Sequence, residues 1–405
     1  MTMDIQEIET YLKERSFEVS SGNFFAFASK TKLRLHTPLI HVSGSNGKSL
    51  TAHYIASVFG AKYRVGLFLN SYLLSFREAI SINGESIPEE DAIRYFEEHQ
   101  KAYEKYELTA FEILVDIAYR YFNDQSLDLC VVECGMGGRE DATNIDDLPT
   151  ILSVITNVSL EHTEYLGTTR SEIALHCGGI IAKGMPVLIG DIEEGCRDAL
   201  KELAAKKNTM LTRMDPIYLP HLVDRSVFHF DYPPYKDLAI QSFASYNVTN
   251  AAMAVECAKI LQKSLPLSEN ELKQGLFCAP LKGRLEAKGN VVLDPACNPD
   301  AILTLRRCFQ TAGRGKPVHV LFASKQESNI SVMLPYLADA CADITLTSFE
   351  HPSARTEMDY ALFTEDHRYI ENPLFALMTL QMEHPDEVVL ATGCREFIAF
   401  LEERL

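Results

Sequence analysis

Short apolar runs bounded by Gly, Pro and Asn alternate along the chain with segments whose apolar residues recur at helical spacing. That alternation predicts an α/β protein built on parallel sheet. Pro38–Ser43 (PLIHVS) reads as a strand, followed by a Gly-rich turn and a helix over about Ser49–Phe59. A helix over Glu112–Phe122 precedes a buried strand over Leu127–Glu133, and further strands are expected over Ile151–Asn157 and Pro186–Ile189. Asn247–Leu265 predicts a helix whose Ala-rich face suits close packing. Past Pro280–Gly289 a second alternation begins. It comprises strand Asn290–Leu293, helix Asp300–Thr311, strand Val318–Phe322, helix Ile330–Ala342, strand Ile344–Thr347, helix Pro373–Glu383, strand Glu387–Thr392 and helix Cys394–Glu403. Two doubly wound units, 1–282 and 283–405, are the expectation.

The sharpest chemical signal is IHVSGSNGKSLT, Ile40–Thr51, which sets Gly44, Ser45, Asn46, Gly47, Lys48 and Ser49 between a strand and a helix. Glycines let backbone N–H groups close around a polyphosphate, and the helix N-terminus adds partial positive charge. Lys48 supplies a mobile cation, and Ser49 stands at the Ser/Thr position of a Walker A loop. The full G-x-x-x-x-G-K-S spacing would need Gly at position 42, which is Val42, so the glycine spacing is short by comparison. The plain alternative is a strand–turn–helix corner rich in Gly and Ser. Glu133 closes a predicted buried strand just before Gly135, Gly137 and Gly138, the place where an α/β ATPase holds Mg²⁺ with a carboxylate. A strand-end Glu facing water is the competing reading.

Composition narrows the picture. Among 405 residues, 38 Lys and Arg against 56 Asp and Glu leave a net charge of −18, which disfavours a general nucleic-acid binder. No run reaches the length of a membrane span, and the acidic N-terminal stretch does not read as a secretory signal. The ten cysteines are scattered without a CxxC pair, as in a reduced, cytoplasmic protein without a zinc module.

The short loop GSNGKSL resembles the ATP-binding loop of the Mur ligase superfamily, and in particular the GTNGKGS loop of the dihydrofolate synthase/folylpolyglutamate synthase family. The segments VGLFLNSYLLSFREAISINGESI (Val65–Ile87), LTAFEILVDIAYRYF (Leu108–Phe122), VVECGMGGREDATNI (Val131–Ile145), ITNVSLEHTEYLGTTRSEIA (Ile155–Ala174), SYNVTNAAMA (Ser245–Ala254), LKGRLEAKGNVVLDPACNPDA (Leu281–Ala301) and VVLATGCREF (Val388–Phe397) resemble that family's motifs in the same order. The resemblance implies an N-terminal P-loop ATPase domain and a smaller, Rossmann-like C-terminal domain. It further implies an ATP-dependent ligase that phosphorylates a pteroate or folate carboxylate and joins L-glutamate to it, in a cytoplasmic monomer. By the same resemblance Glu133, His162 and Asn70 are expected at Mg²⁺, with Lys48, Glu133 and His162 catalytic. Asn250, Arg284 and Asp294 join the loop residues at ATP, and Asn298 lies in the same motif. Phe111, Glu112 and Arg77 are expected at the acceptor substrate, although Phe111 reads equally well as core.

Four positions depart from the family pattern. Asn70 replaces a metal-binding Ser, Cys177 replaces the lysine whose carbamate helps hold a second metal, Cys297 replaces a His, and Ser324-Lys325-Gln326 replaces DKD. A divergent active ligase is the favoured reading, with fewer metal ligands. A nucleotide-binding regulator and a cell-wall Mur-type ligase stand as alternatives, the latter opposed by only about 40 residues before the loop. Whether the first glutamate is added, the tail extended, or both, is open at this level.

Overall fold

The computed structural model describes residues 3–15, 22–223, 227–242, 244–279, 283–312 and 317–405. The first sheet is built from β1 (Leu39–Ser43), β2 (Val65–Phe68), β3 (Ile80–Ile82), β4 (Glu85–Ser86), β5 (Leu129–Glu133), β6 (Thr150–Ile155), β7 (Val187–Ile189) and β8 (Leu211–Arg213), in the order β4-β3-β2-β5-β1-β6-β7-β8. All is parallel except the β2-β3-β4 edge. Every residue of β1 and β5 is buried. Strands covered on both faces read as unbroken apolar runs, which is why these two are legible in the sequence.

β1 is central, flanked by β5 and β6. Register pairs Val42 with Glu133 on one side and Ser43 with Ile155 on the other. The three strands are parallel, so the loops leaving them meet at one edge of the sheet, where ligands of open α/β sheets bind. The helix after β1 runs Lys48–Gly60 and the helix before β5 runs Ala110–Asp124, within two residues of expectation. One core, rich in aromatic side chains, joins Phe24, Phe27, Phe96, Tyr103 and Phe122 beneath the N-terminal helices Ile5–Lys13 and Asn23–Thr31.

A small sheet of order β11-β10-β9 follows, from β9 (Tyr218–Val223), β10 (Val227–Tyr232) and β11 (Tyr235–Gln241). The last sheet contains β12 (Glu286–Lys288), β13 (Val291–Leu293), β14 (Val318–Phe322), β15 (Asp343–Leu346), β16 (Arg368–Tyr369) and β17 (Val388–Thr392), ordered β12-β13-β17-β14-β15-β16. It is parallel apart from β12.

The chain divides into two compact units. One holds Met1–Tyr218, Asp231–Leu238 and Thr249–Ala279; the other holds Leu219–Phe230, Ala239–Val248 and Pro280–Leu405. The expected division at 282 falls beside residues 280–282, which lie outside the described residues. Residues 239–248 group with the second unit because Ala244 and Tyr246 pack into its core with Val292, Leu305 and Phe322.

Candidate active site

The loop after β1 is fixed by the loop after β6. Backbone N–H of Asn46 donates to Asn157 Oδ1 (2.7 Å), and that of Ser45 donates to Asn157 O (3.0 Å). Thr156 Oγ1 donates to Asn46 O (2.7 Å), while Ser159 N donates to Ser45 Oγ (2.9 Å). Gly44 has φ +129°, and a Cβ there would stand 2.9 Å from Asn157 O, so only glycine fits between the two loops. Gly47, at φ +79°, is the residue before the helix, and a Cβ on it would lie 2.6 Å from Asn250 Oδ1. Asn250 also accepts from Thr51 Oγ1 (3.3 Å), so it stands against both the loop and the first turn of its helix.

Lys48 opens that helix. Its ammonium curls back and donates to Gly44 O (2.8 Å) and Ser45 O (3.2 Å). Ser49 Oγ donates to Glu133 Oε1 (2.8 Å) and lies 3.4 Å from Ser71 Oγ. The other carboxylate oxygen, Oε2, accepts from Asn70 N (3.0 Å), while Asn70 Nδ2 donates to Gly135 O (3.4 Å). Glu133 is only 2% exposed, and a carboxylate so buried requires such donors. Ser49, Asn70, Ser71 and Glu133 thus form one group rich in oxygen donors beside the glycine-bearing loop after β1. A hard cation such as Mg²⁺ selects that donor chemistry, so these residues fit one.

The turn after Glu133 is held from below by Asp141. Its carboxylate accepts from Met136 N, Thr143 N and Thr143 Oγ1 at 2.9, 2.9 and 2.5 Å. Thr143 Oγ1 in turn meets His41 Nε2 at 2.8 Å, and Cys134 Sγ lies 3.2 Å from the same nitrogen. Complete burial pushes His41 down to about 3, keeping it neutral under the loop. Cys177, at the family's lysine position, is buried beside Ser43, Gly44 and Lys48; burial pushes its thiol up.

The remaining expected residues are placed elsewhere. His162, in the left-handed region at φ 44°, precedes the short helix Thr163–Leu166 and is half-exposed, with Nδ1 4.0 Å from Glu164 Oε1. Phe111 is packed against Phe68, ring centroids 5.8 Å apart, and a Cβ on Gly135 would come 2.8 Å from its Cε1. Glu112 is 2% exposed and closes a capping box with Thr109, accepting from Thr109 N (2.7 Å). Arg77 donates through Nη1 to Ile87 O (3.2 Å). Asn298 accepts from Ala301 N (2.9 Å), capping the helix Pro299–Ala312.

Arg284 and Asp294 belong to the second unit. Asp294 accepts from Leu285 N (3.2 Å) and Ala296 N (3.0 Å). Burial pushes its carboxyl up to about 7, against the opposing pull of Arg284 and those two N–H groups.

Asn157, Thr156 and Asp141 escaped the sequence reading. Their signal was present, since Thr156 and Asn157 are polar residues closing an apolar strand, the same grammar that singled out Glu133.

A glycine-bearing loop between strand and helix, with a buried acid beside it, suits a nucleotide-dependent ligase of the Mur type, and the Mur ligase middle domain matches residues 42–258. The chain belongs to the dihydrofolate synthase/folylpolyglutamate synthase family. It is 30% identical to the folylpolyglutamate synthase of Lacticaseibacillus casei over 87% of this chain and 86% of that one. Identity to the dihydrofolate synthase/folylpolyglutamate synthase of Bacillus subtilis is 27% over 90% of each. The crystal structure of the Thermotoga maritima folylpolyglutamate synthase superposes with TM-score 0.87 at 25% identity, covering 99% of this chain and 96% of that one. The protein is therefore an ATP-dependent ligase that forms a carbon–nitrogen bond.

Gly47→Ala combines a left-handed backbone with a close approach to Asn250. It should raise the KM for ATP about five- to thirtyfold, the effect of roughly 1–2 kcal/mol of backbone strain. Adding Asn250→Ala should not restore it fully, since the strain of φ +79° persists. ATP saturation curves of both variants check this.

Asp294 gives a pH signature. The folded state binds its proton up to about pH 7, whereas the unfolded chain releases it near about 4. The stability it contributes is thus complete below about pH 4 and is lost as pH rises to about 7. Urea midpoints at pH 5 and 7.5 should fall more in wild type than in Asp294→Asn, whatever the variant's absolute stability.

Proposed function

We propose that the chain joins L-glutamate to the carboxylate of a pteroate or folate through an acyl phosphate, with ATP as the phosphoryl donor. The observation that carries this is the Ser49–Glu133–Asn70 group, with Ser49 Oγ 2.8 Å from Glu133 Oε1 at the foot of the phosphate loop. Backbone N–H groups of the loop and the N-terminus of the Lys48–Gly60 helix receive the phosphates. Lys48 turns from Gly44 O and Ser45 O onto the phosphate oxygens, neutralising charge as the γ-phosphoryl moves to the acceptor carboxylate. ADP departs, the amine of glutamate attacks the acyl carbon, phosphate leaves, and the amine gives up a proton.

Ser49, Glu133 and Asn70 are the proposed Mg²⁺ residues, with His162 added on the resemblance alone, because Mg²⁺ prefers oxygen to imidazole. Bound there, Mg²⁺ would offset the phosphate charge. Asn250 orders the loop at Gly47, while Arg284 and Asp294 are proposed to act on ATP as well. Phe111, Glu112 and Arg77 are proposed at the acceptor on the resemblance alone, since their observed partners are core packing, a helix cap and the Ile87 carbonyl. The reading takes the protein as a cytoplasmic monomer acting on small molecules, with neither nucleic acid nor membrane as partner. Among the described residues no helix is long and apolar enough to cross a membrane.

The direct test supplies ATP, Mg²⁺ and glutamate with dihydropteroate or tetrahydrofolate in separate reactions and follows ADP and the amide product. Product from one acceptor assigns the step, and ATP binding without turnover points instead to a non-catalytic nucleotide binder. Lys48→Ala should cut kcat by at least about a hundredfold while leaving the unfolding transition in place. Glu133→Gln should shift the Mg²⁺ titration to higher concentration, and an unchanged titration would assign Glu133 to structure alone.

A further inference from the structure

At the end of the last sheet where its parallel strands begin, three side chains bring metal-binding atoms together. They are His319 on β14, His384 just past the helix Pro373–Glu383, and Glu387 just before β17; their donor atoms all lie within 4.8 Å of one another. His319 and Glu387 sit where the parallel strands begin, with Asp343 as the first residue of β15. Asp294, Lys325 and Glu396 follow the other ends of β13, β14 and β17, so the cluster is at the opposite edge from them.

His319 Nδ1 stands 2.7 Å from Asp343 Oδ2, and its Nε2 stands 2.7 Å from Glu387 Oε2. Both ring nitrogens of His319 therefore face carboxylate oxygens. His384 Nδ1 meets the same Glu387 Oε2 at 3.0 Å. The two rings are stacked, centroids 3.3 Å apart at 12°, so nitrogens of both come close to the same carboxylate. A divalent ion suits this donor set. It takes lone pairs from both imidazoles and one carboxylate oxygen, leaving the Nδ1–H of His319 to Asp343.

We propose that His319, His384 and Glu387 form a binding site for a borderline transition-metal ion, Zn²⁺ above all, that ties together the starts of β14 and β17 and the end of the helix before β17. Two nitrogens and one oxygen select such an ion over Mg²⁺. Tetrahedral Zn²⁺ at its usual bond lengths separates its ligand atoms by roughly 3.3 Å, a few tenths beyond the spacings present, with water in the fourth place. Asp343 is the carboxylate that orients a metal-binding histidine through its other nitrogen. The His384–Glu387 turn is braced, since Glu387 N donates to His384 O (3.2 Å) and Asn290 Nδ2 donates to both carbonyls (3.1 and 3.3 Å). His319 is 4% exposed and stays in place, whereas His384, 25% exposed, turns its ring so that both lone pairs reach one ion.

The test uses the full chain stripped with chelator and titrated with Zn²⁺ in excess Mg²⁺. One equivalent should be retained against Mg²⁺ and should raise the thermal midpoint. His384→Ala and Glu387→Gln should each weaken Zn²⁺ binding about a hundredfold and abolish that rise, and Asp343→Asn should weaken binding about tenfold. Co²⁺ in the same site should show d–d bands without a thiolate charge-transfer band. Zn²⁺ affinity unchanged in both ligand variants, a thiolate band with Co²⁺, or no Zn²⁺ retained by the wild type would each overturn the site.

Discussion

A carboxylate held inside the protein at the end of a central strand organises everything around it. Glu133 must be satisfied on both oxygens, and it draws one donor from the phosphate-loop helix through Ser49 and another from the chain after β2 through Asn70. Two segments far apart in sequence are thereby anchored to one side chain. The price of burying the acid is met in part by these two donors, so the glycine-rich loop's helix and the chain after β2 form one mechanical unit with β5.

Fold class was legible because parallel strands covered on both faces announce themselves as apolar runs. β1, β5, β14 and β17 were each anticipated within about two residues. The short antiparallel additions were not. β3 and β4 span three and two residues, and β12 three, too short for any periodicity to register. The helix expected to reach Leu265 stops at Leu261, where Ser264 and Leu265 turn back to bond its carbonyl. At the site, residue types that must sit in a loop of fixed shape were readable; their partners across the sheet were not. Asn157 and Thr156 lie more than a hundred residues from Asn46, and only the β1–β6 register brings them together.

The departures from the family pattern differ in physical consequence. Asn70 keeps contact with Glu133 through its backbone, so the side chain can change without cutting the link. Cys177 is enclosed behind the loop with its thiol held neutral by burial, a setting that offers a hard cation nothing. Lys325, the surviving member of a run that has lost its acids, has found replacements in Glu327 (2.8 Å) and Glu396 (3.0 Å). Charge has been rearranged in that turn rather than removed.

The posture of Lys48 has a consequence for discrimination. Its ammonium already has two acceptors in its own loop, so a nucleotide bound as proposed would not meet a vacant cation; it would compete with the Gly44 and Ser45 carbonyls for it. The exchange swaps neutral oxygens for charged ones, and favours the ligand only by the difference. A molecule of the same shape but lower charge would win little from that swap. The resting loop is thus a built-in reference ligand, a threshold of negative charge that a guest must exceed before the lysine lets go.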